Sequence, residues 1–141
     1  MDIRQITSDY SVTPQIDLSD IPAIKAAGFV AIIDNRPDAE VPPELSSVAM
    51  QAEAEAAGLG FVINPVTHQG LNMDMVRLQM QTIAEAGGPV LAYCASGTRS
   101  SIVWSLGQAG KMPTDAIIEA TARAGYDLAG LRGRINDLAQ S

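Results

Sequence analysis

The chain is expected to fold as an α/β protein with a central, mostly parallel sheet of about four strands flanked by helices. Three observations carry that expectation. Continuous apolar runs of strand length recur at residues 29–34 (FVAIID), 60–64 (GFVIN) and 90–93 (VLAY). Longer stretches of helical character separate them, and Gly or Pro punctuates the junctions. Strands that are apolar throughout belong in a sheet covered on both faces, and their alternation with helices makes that sheet parallel.

In chain order, residues 10–16 read as a short edge strand interrupted at Pro14. Ser19 or Asp20 can cap a helix with Pro22 in its first turn, and Gly28 ends it. The strand 29–34 follows, then a turn at 35–38 and a loop through Pro42 and Pro43. Residues 44–57, rich in Ala and Glu, form a helix closed by Gly58. The strand 60–64 is read as buried. After the loop 65–71, Asn72 caps a helix whose apolar face is Val76, Met80 and Ile83. Gly87, Gly88 and Pro89 break it before the strand 90–93. A helix over 100–109 carries Ile102, Leu106 and Ala109 on one face. Thr114 caps the next helix, which Gly125 ends. Asp127 caps the last, where Leu128, Leu131, Ile135 and Leu138 share a stripe.

At 141 residues, the expectation is one domain spanning 1–141, large enough to bury a core without crosslinks. A net charge of −7 argues against a broad nucleic-acid-binding face. No apolar run reaches the ~18 residues of a membrane span, and the N-terminus lacks the pattern of a secretory signal. Nucleic acid and membrane are therefore not expected partners, and the expected compartment is the cytoplasm. One Cys and one His exclude a disulfide and any Cys- or His-rich metal site, so neither metal nor cofactor is expected.

Right-handed crossovers place the C-terminal ends of parallel strands along one edge, where ligands of such folds bind. That edge should present Asp34, Asn35 and Arg36, the loop 64–71, and the segment from Cys94 to Arg99. The last is the most informative. The run Cys94, Ala95, Ser96, Gly97, Thr98, Arg99 lies between a strand and a helix. Small residues let successive amides curl into an anion-binding nest, and the following helix adds its positive end. Arg99 can close the cradle with a bidentate fork. These groups should favour the thiolate of Cys94, a nucleophile beneath an anion site. The hydroxyls of Ser96 and Ser100 can serve the cradle or a leaving group. A buried core thiol followed by an ordinary turn is the alternative, since free Cys is among the most buried residue types.

At these residues the sequence resembles the bacterial family described as the phosphatase-like domain of beta-lactamase-hydrolase-like proteins, also labelled a sulfurtransferase family. The resemblance spans FVAIIDNRPDAE, GLGFVINPV and GPVLAYCASGTRSSIVWSL. It implies a fold similar to the dual-specificity cysteine phosphatases, with Cys94 as nucleophile and Arg99 as oxyanion binder. Cysteine phosphatases resemble H-C-x5-R-S/T. Here four residues separate Cys94 from Arg99, and Tyr93 stands at the His position. That loop length resembles the rhodanese type of sulfurtransferase.

Phosphatases of this fold also carry an acidic Asp on the loop after the preceding strand. The loop 65–71 has none, so His68 and Asp74 are the candidate acids. Asp74 also reads as a helix N-terminal charge. The expectation is a thiol enzyme acting on a small anionic substrate or on thiol and persulfide partners. Sulfur transfer through a Cys94 persulfide leads, because it needs no strong general acid. Phosphoester hydrolysis through a Cys94 phosphothiolate is the alternative, and a non-catalytic anion-binding module the third reading. Arg36 either reaches toward the substrate anion or pairs with an acidic neighbour. Trp104, Tyr93 and the methionines of 73–80 are expected to be structural.

Overall fold

Strand β5 (Val90–Tyr93) lies at the centre of a five-stranded sheet whose order is β1-β2-β5-β3-β4. The computed structural model describes residues 1–140. Strands β2 (Tyr10–Thr13), β3 (Ala31–Asp34), β4 (Gly60–Ile63) and β5 run parallel, and β1 (Arg4–Thr7) joins β2 antiparallel. The expected mostly parallel sheet is present with one more strand than anticipated. Strand β1 reads RQIT, too short and polar to register as a strand. Its pairing takes the edge position, so β2 is an interior strand.

The helices segregate by face. Helix α1 (Ile21–Ala26) and α2 (Ser47–Ala56) cover one side, where Ile21, Ile24, Met50 and Ala54 pack on Ile32, Leu91 and Tyr93. On the other side lie α3 (Met73–Glu85), α4 (Thr98–Gly107), α5 (Thr114–Arg123) and α6 (Arg132–Ala139). There Val76, Val103, Trp104, Leu106, Ile117 and Ile135 pack on Val12, Ile33 and Ala92. Residues 32 and 33, like 91 and 92, thus divide between the two layers by strand alternation. Tyr93 faces α1 and α2, as that alternation requires.

Several boundaries differ from the sequence expectations for local reasons. Asp38 accepts from the Ser47 backbone N–H at 2.8 Å and the Ser47 hydroxyl at 3.0 Å, and Ser46 caps the helix through Ala49 N–H. Helix α2 therefore starts at Ser47, and Glu44 sits in a short 3-10 turn before it. Strand β4 is an edge strand with Gly60 and Ile63 exposed, not a buried one. Asn72 caps α3 as expected, accepting from Met75 N–H at 3.0 Å. Pro113, not Thr114, occupies the N-cap of α5. The Asp127 carboxylate accepts from Ala129 N–H at 3.2 Å, but Leu128 is the N-cap of the 3-10 turn that follows, and the last helix begins only at Arg132.

Helix α4 begins at Thr98, so Thr98 and Arg99 form its first turn. It is buried on nearly all sides rather than on the Ile102–Leu106 stripe alone. Its buried hydroxyls are satisfied within the helix: Ser101 donates to Gly97 O and Ser105 to Ser101 O, each at 2.8 Å. A Cβ on Gly107 would stand 2.2 Å from Met80 Sδ, so α3 and α4 pack closely there and a side chain at 107 would have to displace Met80.

Candidate active site

Register brings four strand ends into line. Thr13, Tyr93, Asp34 and Ile63 are successive partners across β2, β5, β3 and β4. The chain beyond them stays tied together. Asn35 N–H donates to Tyr93 O at 2.8 Å, Asn64 N–H to Asp34 O at 2.9 Å, and Val66 N–H to Asn35 O at 2.9 Å. The 64–67 segment is thereby laid beside the loop that follows Cys94.

Cys94 is the first residue past β5 and has no exposed surface. Its Sγ accepts the Gly97 backbone N–H at 3.0 Å. Gly97 is the N-cap of α4 with φ +92°, a left-handed conformation that turns its amide back over the sulfur. A Cβ there would lie 2.1 Å from Tyr126 Oη, so glycine is required twice over. The Tyr126 hydroxyl donates to Ser96 O at 2.9 Å and braces the loop from outside. Ala95 and Ser96 are exposed, and Ser96 Oγ donates to Thr98 Oγ1 at 2.9 Å. Ser100 lies beneath the loop, fully buried, and its Oγ is committed to Asn35 Oδ1 at 2.8 Å.

Arg99 is buried and bound on two sides. Nη1 and Nη2 donate to Glu40 Oε2 and Oε1 at 2.9 and 2.7 Å, and Nη1 also donates to Val66 O at 2.8 Å. A guanidinium has five N–H donors. These bonds use the terminal fork and the outer Nη1 hydrogen. They leave Nε–H and one Nη2–H, which lie on the same edge of the group and form a second, side-on fork for an oxyanion. The Glu40 bond holds Arg99 above its ordinary pKa against desolvation, with a smaller contribution from nearby Cys94. Glu40 in turn is held below the usual carboxylate range, first by Arg99 and then by Arg36, although burial opposes this.

Arg36 meets the acidic-neighbour alternative. Its Nε lies 3.3 Å from Glu40 Oε1 and its Nη1 donates to Gln15 Oε1 at 3.2 Å. His68 and Asp74 part company. His68 lines a cavity of about 240 Å³ together with Val66, Leu71, Arg99, Ile102 and Arg134. Asp74 is exposed at the start of α3, paired with Arg77, and does not line that cavity.

Beneath the loop lies a buried polar network that sequence reading did not find. Gln79 Oε1 accepts from Asn35 Nδ2 and Asn64 Nδ2, each at 3.0 Å, and its Nε2 donates to Tyr10 Oη at 2.7 Å and Asn35 Oδ1 at 3.2 Å. The Tyr10 hydroxyl donates onward to Ser100 O at 2.8 Å, and its ring stacks on Trp104 at 6.2 Å between centroids. Burial pushes the Tyr10 hydroxyl far above the usual phenol range. Asp34 faces the other side of the sheet, beside Tyr93. Burial pushes its carboxyl up to about 6, opposed by the Arg36 backbone N–H. The Tyr93 hydroxyl lies near it without an aligned hydrogen bond, and is buried without a partner among the described residues.

A cysteine at the end of a central parallel strand, an arginine in the first turn of the next helix and an amide turned onto the sulfur define a phosphatase-like α/β fold. The chain belongs to the family described as beta-lactamase hydrolase-like protein, phosphatase-like domain, whose model matches residues 2–111. A beta-lactamase hydrolase-like protein of Agrobacterium fabrum is 32% identical over 126 residues, 88% of this chain. The chain spans only 29% of that relative's length. A crystal structure of a phosphatase candidate from Neisseria meningitidis is similar at 34% identity and TM-score 0.82, covering 98% of this chain and 99% of that one. The fold is also that of PTPMT1, at 12% identity and TM-score 0.76, covering 98% and 94%. The phosphatase-like description is carried by the family model and by the Neisseria structure. No helix among the described residues is long and apolar enough to cross a membrane.

Proposed function

We propose that the chain is a cysteine-dependent phosphomonoester hydrolase. The observation that carries this reading is the side-on edge of Arg99, Nε–H and Nη2–H, left open beside Cys94 while Glu40 and Val66 hold the rest of the guanidinium. Two parallel donors on one edge match two oxygens of a phosphoryl group. In the proposed reaction the Cys94 thiolate attacks phosphorus and the S–P bond forms as the ester P–O bond breaks. The leaving oxygen takes a proton from His68 in its protonated form, and water then cleaves the S–P bond to release phosphate and return the thiolate. The amides of Ala95, Ser96, Gly97 and Thr98 share the anion's charge with Arg99. Cys94 has no exposed surface, so the loop 95–98 must shift to admit the substrate.

The second reading is sulfur transfer. The four-residue spacing between Cys94 and Arg99 favours it, as does the absence of a carboxylic acid from the cavity lining. There the thiolate takes a sulfane sulfur from thiosulfate, forming an S–S bond while sulfite leaves. One experiment separates the two. The protein is incubated with an aryl phosphate or with thiosulfate, and its intact mass and the released product are measured. Phosphate release that Cys94→Ser abolishes supports hydrolysis. A persulfide on Cys94 without phosphate release supports sulfur transfer. Anion binding that survives Cys94→Ser, with neither reaction in the wild type, leaves a binding module.

A further inference from the structure

The chain carries seven arginines among nine basic residues, against sixteen acidic ones. In such a chain an arginine readily finds a carboxylate, and six have done so. Arg4 pairs with Asp2, Arg36 and Arg99 with Glu40, Arg77 with Asp74, Arg123 with Glu119 and Arg132 with Asp115. Arg134 is the exception among the described residues, and it lines the same cavity as Arg99 and His68. Its helix presents a buried Ile135 to the core and leaves Arg134 exposed at the cavity wall.

We infer that Arg134 is a specificity determinant that binds a second anionic group of the substrate. This rests on the reading of the loop from Cys94 to Arg99 as an anion cradle. With the reacting phosphoryl group on the side-on edge of Arg99, the rest of the substrate runs through the cavity. Its walls include apolar Val66, Leu71 and Ile102, and Arg134 provides a positive charge there that is in no ion pair among the described residues. A space of about 240 Å³ takes a small molecule rather than a folded partner. The substrate class is therefore a small organic phosphomonoester whose leaving group carries a further phosphate or carboxylate across a short apolar spacer. Residue 134 lies beyond the 2–111 segment that the family model matches, so this selectivity is supplied by the C-terminal helices.

The test is calorimetric titration of the full chain with n-alkylphosphonates and with α,ω-alkane bisphosphonates of matched and increasing length, neither of which can be turned over. At one spacer length the bisphosphonate should bind about tenfold tighter than the monophosphonate, equivalent to ~1.4 kcal/mol. Arg134→Gln should remove that advantage and leave monophosphonate affinity unchanged, and added salt should erode the advantage. Arg132→Gln, on the same helix but paired with Asp115 outside the cavity lining, should keep it. Monophosphonate binding with no bisphosphonate advantage at any length, or an advantage that survives Arg134→Gln, overturns the inference and leaves the cradle standing. Absence of monophosphonate binding overturns both.

Discussion

Glu40 chelates Arg99 from 59 residues away, both carboxylate oxygens meeting both terminal guanidinium nitrogens at 2.7 and 2.9 Å. The contact fixes the plane of the guanidinium and so the direction of its remaining edge. Glu40 is thereby a positioning residue. Glu40→Gln keeps the shape but loses the charge and one acceptor. Phosphomonoester turnover should fall by roughly tenfold to a hundredfold, the scale expected when a clamping group is misplaced by about 1 Å. Because Arg99 is the group disturbed, the loss should appear in kcat with inorganic phosphate affinity also weakened. A variant with wild-type kcat would remove Glu40 from this role.

Gly97 combines φ +92° with a Tyr126 hydroxyl 2.1 Å from where a Cβ would stand. Gly97→Ala should cost on the order of 1–3 kcal/mol and weaken anion binding, because the loop must distort to relieve both. Gly130→Ala, where nothing lies within 4 Å, is the control and should be close to neutral. Urea denaturation of the two variants side by side measures the difference.

Gln79 is fully buried and joins Tyr10, Asn35 and Asn64 beneath the loop. Gln79→Leu fits the space but strands several buried polar groups. A loss of about 2–4 kcal/mol is expected, with the Ser100–Asn35 support of the loop weakened as well. A variant as stable as the wild type would show that the network contributes little.

Asp34 has its folded pKa raised from 3.8 to about 6, chiefly by burial. The folded state therefore binds the proton more tightly than the unfolded chain. By linkage, this group's effect on stability worsens as pH rises through that window and is fully unfavourable above about 6. Asp34→Asn retains the acceptor for the Arg36 N–H and removes the charge. It should be more stable than the wild type at pH 7.5 by on the order of 1–3 kcal/mol, with the gain fading near pH 4. Chemical denaturation of both proteins at the two pH values checks it, and a gain that grows toward pH 4 would contradict the assignment.

Much of this molecule was decided by its sequence alone. Apolar runs such as FVAIID and VLAY can be buried only in a covered sheet, and alternation with helices makes it parallel. Cys94 and Arg99 are neighbours along the chain, so their juxtaposition at a strand end needed only the strand, the Gly97 turn and the helix. The edge strand β1 escaped notice because its stability comes from pairing with β2 rather than from its own composition. Tertiary structure alone decided the rest. Glu40 reaches Arg99 because parallel β3 and β5 end in register and bring their loops together. Gln79 reaches Tyr10 and Asn35 because α3 packs beside α4 on the same face of the sheet. His68 joins the cavity and Asp74 does not, although they are six positions apart. Arg134 meets the same cavity from the last helix. Charge and hydrogen-bond partners separated by 44 to 69 positions leave no local periodicity to read, since what joins them is the closeness that packing creates.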